Sequence, residues 1–244
     1  MTKIAVCISG QPRHFKIGHE YLSKSLEGAD VDYFSHLWFD KDDVGKTLDV
    51  YSTKQVYKSD TVRKDTDTEF LSLYKPKSHQ FEKQIEFTDD LGLESNNGKP
   101  SKSAQPASIF ISMLYSRWKS GELMKDYSAK NNIQYDFMIW GRTDFALLSP
   151  IMDEVSSLND VYTPYVNGGE WGATHLNTAI VASKPENVLH FLNLYNTYPE
   201  LYKKGIDYCD HRMSFQQMKQ LNCGFASILK NNWFWIRSEG LVPG

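Results

Sequence analysis

Nowhere in this chain does an apolar run approach the ~20 residues that a membrane-spanning helix requires, so no membrane span is expected. Cysteine is scarce. Its three copies, Cys7, Cys209 and Cys223, form no Cys-x-x-Cys pair and no zinc spacing. An odd count without a framework suits a reducing compartment and a cytoplasmic protein. Cys7 lies inside an apolar run and reads as a small buried hydrophobe. A strong charge of one sign is also lacking. The net charge of -3 gives no general reason to expect nucleic acid or a membrane surface as partner. The apolar stretch near the N-terminus is too short for a signal-peptide core with its cleavage site. No repeat occurs at solenoid periods. The glycine spacings of the dinucleotide fingerprint and of the Walker loop are both missing.

Aromatic side chains are plentiful, at 14% against a modest 41% of hydrophobic residues. The core therefore has to draw heavily on Tyr, Phe and Trp. A length of 244 residues fits one α/β domain with insertions. Lys3 to Ile8 is a β-branched run that breaks into Ser9-Gly10-Gln11-Pro12-Arg13, a strand entering a glycine-containing loop. Ile17, Tyr21, Leu22 and Leu26 recur at helical spacing, and Gly28 follows as a stop. Val31 to Trp38 reads as a second strand.

From Asp40 to Ser103 the texture turns polar. Short strands are predicted near Lys54–Tyr57 and His79–Phe87. Residues 89–103 read as a loop, a lid over a site or a plain surface excursion. Pro106 suits the first turn of a helix that runs to about Lys130. A strand from Tyr135, another over Asp160–Val166 and a third over Thr178–Ala182 follow. Helices are predicted from Pro185 to about Tyr195 and from Tyr208 to Leu221, with a last strand at Trp233–Ile236. This alternation predicts a parallel or mixed sheet with helices on both faces and an antiparallel edge.

The densest signal is Tyr135 to Phe145. Phe137, Met138, Ile139 and Trp140 read as a strand buried on both faces. They lead straight into Arg142-Thr143-Asp144, which falls at the strand's carboxyl end. Ligands bind along that edge in open α/β sheets. Three groups are expected to gather there. Ser9, Gly10, Gln11 and Arg13 form the first. Gly10 permits close backbone approach, and Arg13 offers a planar fork to a phosphate. Alternatively they are a strand-ending turn with a solvent-facing arginine. Arg142 and Asp144 form the second, with Asp144 a candidate oxygen ligand for Mg²⁺ or Mn²⁺ beside a diphosphate. The third is the segment 168–177. Trp171 suits stacking on a sugar, and Glu170 or His175 suits proton transfer. Asp207, Asp210 and His211 cluster near the last helix. They read either as a surface ion-pair group or as a source of a base, Asp210 or His211, or of a second metal ligand.

Ile4 to Arg13, Tyr33 to Trp38 and the strand ending in Arg142-Thr143-Asp144 together resemble a group of small glycosyltransferase-like proteins. They occur in bacterial polysaccharide clusters and in phages or large viruses. The resemblance covers roughly the first 150 residues and rests on a Ser-Gly-Gln-x-Arg loop and an Arg-x-Asp strand end. The latter looks like a variant of the Asp-x-Asp motif of GT-A nucleotide-sugar transferases. The resemblance implies a GT-A (Rossmann-like) α/β fold with a mixed, mostly parallel sheet, in one domain spanning the chain. It also implies a UDP- or GDP-sugar donor, a glycan or other hydroxyl acceptor and often Mn²⁺ or Mg²⁺. For a viral source, the compartment would be the host cytoplasm. Carried over, Asp144 is the metal-facing aspartate, and Ser9, Gly10, Gln11 and Arg13 are the donor loop. Arg142 stands where the motif has its first aspartate; an arginine cannot bind a metal, and the resemblance implies that it would instead pair with the diphosphate. Two other readings remain open on the same scaffold: a non-catalytic carbohydrate or nucleotide binder, and a nucleotidyltransferase.

Overall fold

Strand β1 (Lys3–Gly10) owes its central place to its alternation. Ile4, Val6 and Ile8 turn to one face of the sheet and Ala5 and Cys7 to the other, all essentially without solvent contact. Each large aliphatic side chain so buried contributes about 1.5–3 kcal/mol. The computed structural model describes residues 2–51, 56–93, 106–164, 175–221, 223–228, 233–237 and 240–243.

On one side β1 pairs in parallel with β2 (Asp30–Trp38), which pairs in parallel with β5 (Ser78–Glu82). On the other side it pairs in parallel with β6 (Phe137–Gly141). Beyond β6 lie β9 (Ile180–Ser183), β8 (Val161–Pro164) and β10 (Phe225–Ile228). Only β9 runs against the rest, pairing antiparallel with both β6 and β8. The antiparallel edge expected from the sequence is therefore an interior strand. Its four residues are all buried, and sequence periodicity carries no direction for such a run.

Helices cover both faces. One face carries α1 (Phe15–Ser25) and α2 (Thr66–Tyr74), whose Phe15, Phe70 and Tyr74 pack under Ile4, Val6 and Ile8. The other face carries α3 (Ala107–Asn131), α4 (Pro185–Leu192), α5 (Leu194–Lys203) and α6 (Asp210–Met218). Met124, Val188, Phe191 and Met218 pack there against Ala5, Cys7, Met138 and Trp140.

Two smaller sheets complete the fold. The hairpin β3 (Thr47–Tyr51) with β4 (Val56–Thr61) follows β2. A three-stranded antiparallel sheet joins β7 (Phe145–Leu147), β11 (Trp233–Arg237) and β12 (Gly240–Pro243). The polar stretch after Asp40 is thus more than an excursion. Its 66–82 portion supplies a packed helix and an edge strand of the main sheet. Most of the predicted loop at 89–103 lies outside the described residues. Helix α4 also stops earlier than its apolar spacing suggests, at Leu192, and α5 begins two residues later.

Candidate functional site at the carboxyl rim of the sheet

Because β1 and β6 are parallel neighbours, their carboxyl ends open side by side. The loop after β1 and the triplet after β6 meet there. The Thr143 hydroxyl donates to the Gln11 carbonyl at 2.9 Å, and Arg13 Nε lies 3.5 Å from Asp144 Oδ2. Gly10 takes φ +107, a backbone closed to most side chains, as the strand turns into the loop. Its N–H donates to Ser116 Oγ on α3 at 2.9 Å. His14 adopts a left-handed conformation at the start of α1, and its N–H donates to Asp60 of the hairpin at 2.8 Å. Gly18 brings α1 directly onto the triplet: a Cβ there would stand 1.9 Å from the Thr143 carbonyl oxygen.

Asp144 is the hub of this rim and is 1% exposed. Arg142 holds it with both prongs of its fork: Nε donates to Oδ1 at 2.9 Å and Nη2 to Oδ2 at 2.8 Å. The outer face of the Arg142 guanidinium lies 4.8 Å from the centre of the Trp235 ring. Strand β11 is fixed in turn, since the Ile236 N–H donates to the Asp144 carbonyl at 3.1 Å. Two guanidinium groups thus converge on one carboxylate.

A second polar chain runs behind the first. Ser9 is 4% exposed and accepts a hydrogen bond from the Trp140 indole at 2.9 Å. Arg117, with no exposed surface, lies between Trp140 and Phe191 at 4.4 and 4.6 Å. Its two terminal nitrogens each donate to Asp210 at 2.9 Å. Thr178 and Ser214 hydroxyls donate to the same carboxylate. Burial acts to raise the Asp210 carboxyl, but the Arg117 charge and hydrogen bonds, with His211 and Thr178, outweigh it and hold the group below its ordinary value. A carboxylate so engaged is a clamp between α3 and α6, and proton transfer is a role its geometry does not favour. Its neighbour His211 differs. Its Nδ1 lies 2.8 Å from the Leu176 carbonyl, which only accepts, so Nδ1 carries a proton. His175 Nε2 accepts from Arg212 Nε at 2.9 Å, and Arg212 also pairs with Asp207.

Three further residues were missed in the sequence: His36, Ser116 and Glu82. His36 is fully buried at the end of β2, with Nδ1 2.8 Å from Ser116 Oγ and Nε2 2.8 Å from Glu82. A relay therefore runs from Glu82 through His36 and Ser116 to the Gly10 N–H. Burial pushes His36 below its usual value, against the pull of Glu82. Tyr115, which donates to Glu82 at 3.4 Å, is pushed up to about 12, mainly by burial. A histidine inside the apolar run Val31–Trp38 is the sequence signal that marks this relay, because a buried imidazole needs partners. Beside Gln11 opens a cleft of about 280 Å³, walled by Trp38, Leu48 and Val62 and edged by Lys46, Lys83 and Gln84.

Among the described residues, the donor set does not fit a divalent cation. Such an ion needs several open oxygen ligands, and Asp144 has both oxygens engaged by arginine. Among the described residues, no group of three or more His, Cys, Asp or Glu side chains converges to hold one. The expected ligand role of Asp144 therefore meets a carboxylate already committed to two guanidiniums. Glu170 and Trp171 lie outside the described residues. Of the other predicted residues, Ser9, Gly10, Gln11, Arg13, Arg142 and Asp144 form the rim itself. Asp210 is joined to Trp140 through Arg117, and His175 lies beside Arg212.

No family model and no curated protein sequence matches this chain. Solved structures resemble it at low identity. The galactosyltransferase LgtC, solved with donor and acceptor sugar analogues, is 9% identical with a TM-score of 0.44, over 93% of this chain and 73% of that one. The glycosyltransferase GlyE of Streptococcus pneumoniae is 7% identical with a TM-score of 0.43, over 96% of this chain and 44% of that one. A nucleoside-diphosphate-sugar pyrophosphorylase of Vibrio cholerae is 10% identical with a TM-score of 0.41, over 95% and 94%. At such scores a likeness carries no functional argument, and the site has to be read from its own residues. No helix among the described residues is long and apolar enough to cross a membrane.

Proposed function

We propose that this protein is a glycosyltransferase of GT-A type that moves a sugar from a nucleoside-diphosphate donor to an acceptor hydroxyl. The observation that carries the reading is the meeting of the Gln11–Arg13 loop with Asp144 and Arg142 on one rim. The rim carries two guanidinium groups, positioned by buried partners, at the carboxyl edge of a largely parallel sheet. Guanidinium forks match the spacing of phosphate oxygens and hold them bidentately. The cleft beside Gln11 supplies apolar walls for a nucleoside, with amides, lysines and the Asp43 carboxylate at its edge.

In the reaction, the acceptor oxygen bonds to the anomeric carbon. The bond from that carbon to the diphosphate breaks, and its electron pair stays on the departing oxygen. The acceptor proton passes to a base, for which His211, whose Nδ1 is held by the Leu176 carbonyl, is one candidate. Glu170 and His175 remain further candidates for that proton, and Trp171 for stacking on the sugar.

Incubation with UDP- and GDP-sugars and release of free nucleoside diphosphate test the reading. Slow hydrolysis of at least one donor is expected, with His211→Gln reducing turnover about a hundredfold or more. A protein that binds the donor but releases nothing is a carbohydrate or nucleotide binder. Pyrophosphate release from a nucleoside triphosphate makes it a nucleotidyltransferase instead.

A further inference from the structure

We infer that Arg13 and Arg142, aligned by Asp144, take the place of a divalent cation in holding the donor diphosphate, so that nucleoside-diphosphate binding needs no metal. The inference rests on the sugar-nucleotide reading of this site and adds how its leaving group is neutralised.

Asp144 is placed to orient cations rather than to bind one from solution. A metal-binding carboxylate directs a lone pair into open space, whereas both oxygens here accept charge-assisted bonds from Arg142, at 2.9 and 2.8 Å. Arg13 adds a second positive group at 3.5 Å. A divalent ion entering this point would displace these bonds and stand beside two fixed positive charges. Asp60, the carboxylate the hairpin brings to the same loop, is occupied by the His14 N–H.

The arginines are built for the alternative role. Arg142 gives Nε and one Nη2 donor to Asp144, and a guanidinium has five N–H donors in a fixed plane. The rest of the fork faces away from the carboxylate. Trp235 at 4.8 Å fixes the plane of that fork, and a quarter of the side chain remains open to solvent. Arg13, 12% exposed, sits on the loop that the Thr143 hydroxyl ties down. A rigid, positive, partly open fork needs no reorganisation when a diphosphate arrives. As the bond to the anomeric carbon breaks, the charge left on the diphosphate oxygen is met by these two groups.

Calorimetric titration of the full chain tests this, with uridine, guanosine, adenosine, cytidine and thymidine diphosphates, once with a chelator and once with excess Mn²⁺. At least one nucleotide is expected to bind in chelator with an affinity within about threefold of that in Mn²⁺. Arg142→Ala is expected to weaken that binding about tenfold or more in both buffers. Arg142→Lys keeps the charge without the fork and should fall between, and it serves if the alanine variant does not fold. Binding that appears only with Mn²⁺ overturns the inference and leaves the sugar-nucleotide reading standing. Full-strength binding by folded Arg142→Ala and Arg13→Ala overturns it as well. Binding of none of the five, in either buffer, overturns both.

Discussion

His36 shows how one buried side chain links the core to the rim. Its Nε2 lies against Glu82 and its Nδ1 against Ser116, whose oxygen receives the Gly10 N–H. Burial lowers its folded value, Glu82 opposes this, and Lys119 adds to it. The unfolded chain therefore takes up the proton first as pH falls. The stabilising contribution is complete above the unfolded value of about 6.5 and is lost as pH drops through the folded value. Melting temperature should decline more steeply from neutral to mildly acidic pH in the native chain than in His36→Asn, as a pH series of thermal melts would reveal. Equal slopes would sink the assignment of His36 as the titrating group. Trp235 acts on the other side of the rim, under the Arg142 guanidinium. A cation–π contact of this kind is worth about 0.5–2 kcal/mol. Trp235→Ala should accordingly weaken nucleoside-diphosphate binding about two- to thirtyfold by titration, and Trp235→Phe by less.

Among the elements, α1 and α3 hold the rim from opposite faces of the sheet. Helix α1 can lie on the Arg142–Asp144 turn only because Gly18 has no side chain at the Thr143 carbonyl, where a Cβ would stand at 1.9 Å. A carbonyl in a held turn cannot swing aside as a side chain can. Gly18→Ala should cost about 1–3 kcal/mol by urea denaturation through overpacking, and should weaken nucleotide binding in proportion to the shift of the turn. Helix α3 is clasped to α6 through Arg117 and Asp210, with Thr178 and Ser214 completing the carboxylate's bonds. Removing one partner strands a buried charge. Arg117→Met or Asp210→Leu alone should cost about 3–5 kcal/mol in chemical denaturation, and the two together much less than the two losses added. A double variant whose losses simply add would show that the pair is not coupled.

At the scale of the whole molecule, the chain carries a net charge of -3 yet concentrates guanidinium groups at one edge of its sheet. Net charge does not reveal such a cluster, because it averages over the whole surface. The central strands were legible because they are continuous apolar runs: Ile4–Ile8, Tyr33–Trp38 and Phe137–Trp140 each form a buried strand. The elements between them were less so. Helix α2 and strand β7 carry short or interrupted apolar patterns and gain their order from neighbours, Phe70 and Tyr74 from α1 and the core, Phe145 from Trp233 and Trp235.

Local chemistry alone determined that two polar segments end two core strands, since a run of buried side chains has to stop where Arg13 or Arg142 begins. Which way each strand runs, that β9 reverses inside the sheet, and that Arg142 grips Asp144 were decided only by folding. These depend on partners far apart in the chain, such as Trp235 for Arg142 and Arg117 for Asp210. Residue spacing fixes which side chains share a face, but the charge a carboxylate meets is set by whatever the packed chain brings against it.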